Sequence, residues 1–140
     1  MTNKIPQFQD NPHLTQLFSN ETLEKIFPSD RTNDFFEALL GDASEGAYDI
    51  RLIYQGIKDN HLYFAFQLTE RPDKCLVCSV TYGLPKVFER HRVIDTNNVV
   101  QQIQEKLSDA QVTSWELGAT LPVEKSLHLV PLIITLNQAL

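Results

Sequence analysis

The chain has 140 residues, 42% of them hydrophobic, and its 18 acidic and 12 basic side chains give a net charge of −6. That length supports one domain with its own core, and that charge argues against a broad DNA-binding face. No apolar run approaches the roughly 20 residues that span a bilayer, and the N-terminal MTNKIPQFQDNPHLTQ lacks the apolar centre of a secretory leader. Two cysteines are too few for a disulfide framework. The expectation is a cytoplasmic protein with no cofactor, no nucleic acid and no membrane among its partners.

Residues 1–13 are polar, carry Pro6 and Pro12, and are expected to form a loose arm on a single domain spanning 1–140. In SNETLEKIF, Ser19 or Asn20 caps a short helix with Leu23, Ile26 and Phe27 on one face, and Pro28 stops it. PSDRTNDFFEALLG restarts a helix. Ser29 or Asp30 caps it, Phe35, Phe36, Leu39 and Leu40 form the apolar stripe, and Gly41 suits the C-terminal stop. From Tyr48 the period falls to two. YDIRLIYQGI alternates, KDN turns the chain, and HLYFAFQL puts Leu62, Phe64, Phe66 and Leu68 on one face. After ERPD, KCLVCSVTY over 74–82 is expected to add a third strand before a break at Gly83-Leu84-Pro85, completing an antiparallel meander. DTNNVVQQIQEKL reads as a helix capped by Asp95 or Thr96, with Val99, Val100, Ile103 and Leu107 inward. Two strands close the chain: VTSWELGA and, after TLPVEK, the long LHLVPLIITL. Pro131 in the latter suggests an edge position or a bulge. The fold class is α+β: two N-terminal helices, a three-stranded antiparallel meander, a helix and two further strands in one sheet.

Cys75 and Cys78 form the C-x-x-C of DKCLVCSV. A metal-binding or redox pair needs both sulfurs on one side, as at a turn or helix start. On a strand, residues three apart point to opposite faces. Leu76, Cys78, Val80 and Tyr82 would then make an apolar face, with Cys78 a buried small hydrophobe and the sulfurs too divergent to bond. The strand reading outweighs the metal or redox one, because no histidine among His13, His61, His91 and His128 stands at ligand spacing from another.

PKVFERHRV gathers Lys86, Arg90, His91 and Arg92, the chain's one basic cluster, able to hold a phosphate or carboxylate through an arginine fork. A solvated segment paired to carboxylates such as Glu89 is the commoner fate of such a cluster. Asp42, Glu45 and Asp49 in GDASEGAYD miss the spacing of a calcium loop and read as a turn. His128, in an apolar strand, reads as a hydrogen-bonded structural residue. Trp115 and the tyrosines at 48, 54, 63 and 82 more often fill a core than line a pocket. No phosphate loop, dinucleotide fingerprint, zinc-protease motif or nucleophile elbow is present.

The runs FFEALLGDASEGAYDI and CLVCSVTYGLP resemble a small family of uncharacterised bacterial proteins, a resemblance that implies no activity and transfers no site residue. The element order and acidic charge are similar to those of type III secretion chaperones, small acidic homodimers that hold an extended segment of a partner. The chain departs from that pattern by lacking a final helix.

Three functions are expected in descending order. The first is a non-catalytic protein- or peptide-binding module acting through a sheet surface or edge. The second is a small-molecule or anion-binding protein, or an enzyme, with its pocket between the sheet and the 96–107 helix and the basic cluster at its mouth. The third is a metal or redox protein using Cys75 and Cys78. LHLVPLIITL is apolar on both faces: Leu127, Leu129, Pro131 and Ile133 point one way, and His128, Val130, Leu132, Ile134 and Leu136 the other. One face can meet the helices; the other needs a cover, of which the N-terminal arm can supply only part. A homodimer or a protein partner is therefore expected, the rival reading being a fully wrapped central strand in a monomer.

Overall fold

Alternating apolar residues and a tight turn commit the middle of the chain to a long hairpin. In the computed structural model, which describes residues 8–79 and 84–140 without the Ser79 side chain, β1 spans Tyr48–Lys58 and β2 His61–Glu70. Lys58 pairs with His61, and Asp59 turns the corner at φ 54°. β5 (Leu127–Leu136) pairs with the other side of β2, and β3 (Val112–Leu117) and β4 (Leu121–Glu124) both pair with the far side of β5. All pairings are antiparallel, so the fold is α+β with one five-stranded sheet.

Residues 74–79 do not begin the third strand expected over 74–82. Leu76–Ser79 is instead a single helical turn, α4 in a series whose other members are α1 (Pro12–Leu17), α2 (Asn20–Ile26), α3 (Arg31–Leu40), α5 (Leu84–Arg90) and α6 (Thr96–Lys106). Residues 80–83, the remainder of that expected strand and the Gly83 break, lie outside the described residues. The reason is tertiary. β2 already has β1 on one side and β5 on the other, so no edge of it is left for 74–79. Local chemistry agrees: Asp73 takes φ 62°, the Lys74 N–H bonds the Arg71 carbonyl, and the Glu70 carboxylate accepts the Leu76 N–H at 3.0 Å.

The helices cover one sheet face. Leu23, Ile26 and Phe27 of the α2 region, Phe35 and Phe36 of α3, Phe88 of α5, and Val99, Val100 and Ile103 of α6 are buried against Ile50, Leu52, Phe64, Phe66, Val130, Leu132 and Ile134. Edge-to-face rings tie the layers together. Phe27 meets Phe66 at 5.4 Å, Phe66 meets Phe88 at 5.4 Å, and Phe35 meets Phe88 at 5.6 Å between centroids. Caps fall where side-chain chemistry puts them: Ser19 accepts the Thr22 N–H, Asp95 accepts the Asn98 N–H, and Gly41 ends α3 in the left-handed region. Asp30 precedes α3 without a side-chain cap bond. Leu39 and Leu40, expected on the α3 stripe, are instead 48% and 51% exposed. Thr32, Phe35 and Phe36 already take the buried positions of α3, and Leu39 and Leu40 line an open hollow with Tyr48, Leu84 and Val87.

Pro131 occupies the central strand β5 rather than an edge. Its carbonyl accepts the Gly118 N–H, so its missing donor also faces the corner between β3 and β4, where the neighbouring ladder is already interrupted. Of the N-terminal arm, residues 1–7 lie outside the described residues. Gln9 forms a bridge with Ile57, and Asn11 caps α1.

Candidate functional site

The sheet face turned away from the helices is apolar at its centre. Register places Ile53, Ala65 and Pro131 side by side in one row, with Gly118 bonded next to Pro131. The next row is Arg51, Gln67, Leu129 and Leu121; on the other side lies Gly56, Tyr63, Ile133 and Glu116. Outermost are Asp49, Thr69, Leu127 and Glu124 at one end, and Lys58, His61, Thr135 and Ser114 at the other. The alternation read in LHLVPLIITL holds residue by residue. His128, Val130, Leu132, Ile134 and Leu136 are buried under the helices, whereas Leu127, Leu129, Pro131 and Ile133 are half-buried on the open face. Leu121 and Val123 add exposed apolar surface, at 36% and 55%. An apolar centre with a polar rim is the anatomy of a protein interface.

One element of this chain already rests on that face. Phe8 packs on Tyr63 at 5.2 Å, over Gly56, where any Cβ would collide with the Phe8 ring. Among the described residues Phe8 covers one corner, and Leu129, Pro131 and Ile133 on the β5 side stay half-buried.

The sheet's outer edge is blunted. The Thr32 hydroxyl, 1% exposed, accepts the Ile50 N–H at 3.0 Å and donates to the Ile50 carbonyl at 3.3 Å, filling both outward positions of that residue. Further along, the Ile57 carbonyl accepts the Gln9 N–H at 2.7 Å. At the opposite edge, β4 carries Pro122. Arg71 locks the same end of β1: its guanidinium reaches Asp49 at 3.1 Å, the Ala43 carbonyl at 2.9 Å and Asn33 at 2.9 Å, and lies over the Phe36 ring.

Cys75 and Cys78 require a correction. Both are exposed and they are joined in a disulfide, with Cα atoms 5.3 Å apart. Cys75 precedes α4 and its sulfur accepts the Cys78 N–H at 3.1 Å. A helical turn brings residues three apart to one side, where a strand would have separated them.

The basic cluster is divided. Lys86, Arg90 and His91 line one shallow depression with Val87, and Arg92 is not among its lining residues. Among the described residues no carboxylate pairs with Lys86, Arg90 or Arg92; the Arg71–Asp49 pair is the one ion pair found there. His91 instead turns inward: its Nδ1 accepts the Val93 N–H and its ring meets Phe35 edge-on at 4.8 Å. Burial, and secondarily Arg92, push its pKa below the ordinary histidine value. A separate open cleft of about 500 Å³ lies between α6 and β3, lined by Asn97, Val100, Gln101, Gln104, Val112, Thr113, Ser114 and Trp115. It holds no titratable side chain, and the basic cluster does not border it. His128 is buried as expected, but among the described residues its Nδ1 has no hydrogen-bond partner. Asp42 accepts two bonds from Ser44, which lower its carboxyl pKa, and serves the turn. Among the described residues no three His, Cys, Asp or Glu side chains converge as a metal site would need, and no helix is long and apolar enough to cross a membrane.

No family model, curated protein or solved structure matches the chain.

Proposed function

We propose that the protein is a non-catalytic protein-binding module that works through its open sheet face, and that the first occupant of that face is a second copy of the chain. The observation that carries this reading is the second apolar face of β5, where Leu129, Pro131 and Ile133 lie half-buried and, among the described residues, no helix lies over them. The blunted edges favour the surface over strand addition as the mode of binding.

Area and charge both point to self-association. Four strands about 4.8 Å apart and five residue rows about 6.8 Å apart give a face of roughly 19 by 34 Å, from which Phe8 removes one corner, hence on the order of 1,000 Å² over two copies. That lies at the lower bound of about 1,000 Å² for a specific interface. Charge is arranged in opposition across the face: Arg51 and Lys58 on β1, Glu116 and Glu124 on β3 and β4. Asp49, the acid on β1, is neutralised by Arg71. A two-fold axis in the interface, parallel to the strands, lays β1 of one copy over β3 and β4 of the other. Arg51 then comes within one residue row of Glu124, and Lys58 within one row of Glu116. Aligned sheet packing of this kind is the ordinary sandwich arrangement.

Charge reversal tests the reading. Arg51→Glu places like charges at two symmetry-related contacts and should weaken self-association about tenfold, since exposed pairs are each worth up to about 1 kcal/mol. Adding Glu124→Arg in the same chain should restore most of it. Association unchanged by the single reversal, or unrestored by the double, would remove the proposed pairing.

A further inference from the structure

The Cys75–Cys78 bond is the one covalent cross-link of the chain, and among the described residues the turn around it has other ties. It closes over two intervening residues, and a cross-link over so short a loop restrains the unfolded chain least. The surrounding turn is held by other means. Leu76 is fully buried, its N–H bonds the Glu70 carboxylate, and the Lys74 N–H bonds the Arg71 carbonyl. Both cysteines are nonetheless exposed, so an external thiol has a path to the bond.

The two sulfurs are not equivalent. The Cys78 N–H points at the Cys75 sulfur, 3.1 Å away, and would hold negative charge there whenever the bond opens. Position in the chain fixes this asymmetry: Cys75 sits where a capping side chain sits, and Cys78 is the third residue of the turn it caps.

We propose that Cys75 and Cys78 form a redox-active pair that exchanges electrons with an external thiol–disulfide couple, Cys75 being the attacking residue and Cys78 the resolving one. In the reduced protein the Cys75 thiolate attacks one sulfur of a substrate disulfide. A Cys75–substrate bond forms, and the substrate's sulfur–sulfur bond breaks to release one thiolate. The Cys78 thiolate then attacks the Cys75 sulfur, re-forming the Cys75–Cys78 bond and releasing the second substrate thiolate. Two electrons pass to the substrate, and the protons lost by the two cysteines end on its two thiols. Two external thiols run the same steps backwards and reduce the pair. This site lies on α4 and does not depend on the open sheet face.

Glutathione, reduced and oxidised, is the probe. The folded chain is equilibrated in buffers of varied ratio, quenched in acid, alkylated, and weighed intact. The expected result is full and reversible conversion between no alkylated thiols and two, without denaturant and with an unchanged circular dichroism spectrum. With oxidised glutathione, Cys78→Ser should accumulate a Cys75–glutathione adduct at least ten times faster than Cys75→Ser forms the Cys78 adduct. A bond that resists millimolar reduced glutathione until the protein unfolds would overturn the proposal, as would equal reaction rates in the two variants. Should a variant fail to fold, the thiol count of the unmodified chain decides alone.

Discussion

Replacing Thr32 by valine keeps the shape of the side chain and removes only its hydroxyl, so it isolates the device that blunts the β1 edge. That hydroxyl bonds both the N–H and the carbonyl of Ile50, and both residues are 1% exposed. In Thr32→Val, two buried backbone groups lose their partner, at about 1–3 kcal/mol for each unsatisfied group. The carbonyl belongs at the lower end, and a buried methyl in place of the hydroxyl returns up to about 0.8 kcal/mol. The net expectation is a loss of about 2–3 kcal/mol. In a chain of this length that is a fall in Tm of roughly 5–10 °C. Urea unfolding should show a lower midpoint with the slope unchanged. Thr32→Ser retains the hydroxyl and should lose about 1 kcal/mol. If Thr32→Val unfolds within about 0.5 kcal/mol of the parent, the hydroxyl does not satisfy Ile50 and the argument for a closed edge fails.

Phe64→Ala and Phe66→Ala should each destabilise by about 3–5 kcal/mol, since both rings are fully buried between sheet and helices; the same urea series reads this. Arg71→Ala should lose about 2–4 kcal/mol because several carbonyls share its guanidinium, whereas Asp49→Ala should lose under about 1 kcal/mol, its carboxylate being 65% exposed. Burial pushes the Tyr54 phenol up to about 12. Its raised folded pKa means the stabilisation is full below about pH 10 and falls away as pH rises from there towards 12. Thermal melts should show the decline, and Tyr54→Phe should lessen it, the remainder belonging to Tyr48, whose buried phenol is pushed up as well. Reducing the Cys75–Cys78 bond should lower stability by no more than about 2 kcal/mol, the figure for so small a closed loop, as urea unfolding with and without reductant will show.

The sequence carried its strongest signal where period and burial coincide. β1, β2 and β5 were legible because Leu62, Phe64, Phe66 and Leu68, and likewise Val130, Leu132 and Ile134, recur at every second position on the helix-covered face. The helices at 20–26 and 96–106 were legible from their caps and apolar spacing, and that at 31–40 from Phe35, Phe36 and its Gly41 stop. The third strand misled for the same reason: Leu76, Cys78 and Val80 alternate as a strand would, and nothing local reveals that β5, some 50 residues later, takes the free side of β2. Short α1, α4 and α5 are stable through packing more than propensity, so their pattern was faint. Asn11-Pro12, a cap followed by a proline at the first helical position, was a readable start for α1. The open face was half legible. The double apolar character of β5 announced an uncovered surface, but its rim of Arg51, Gln67, Glu116 and Glu124 emerges only from register across four strands.

Mass against concentration tests the central proposal most directly. Light scattering of the intact chain over a dilution series should approach twice the 16.0 kDa chain mass at high concentration and fall towards one chain on dilution. Ile133→Glu, which puts a carboxylate one row from the centre of the open face without touching the helix-covered one, should hold the mass at one chain with an unchanged circular dichroism spectrum. A parent chain that stays at 16.0 kDa into the millimolar range, or an Ile133→Glu chain that still doubles, would contradict the account.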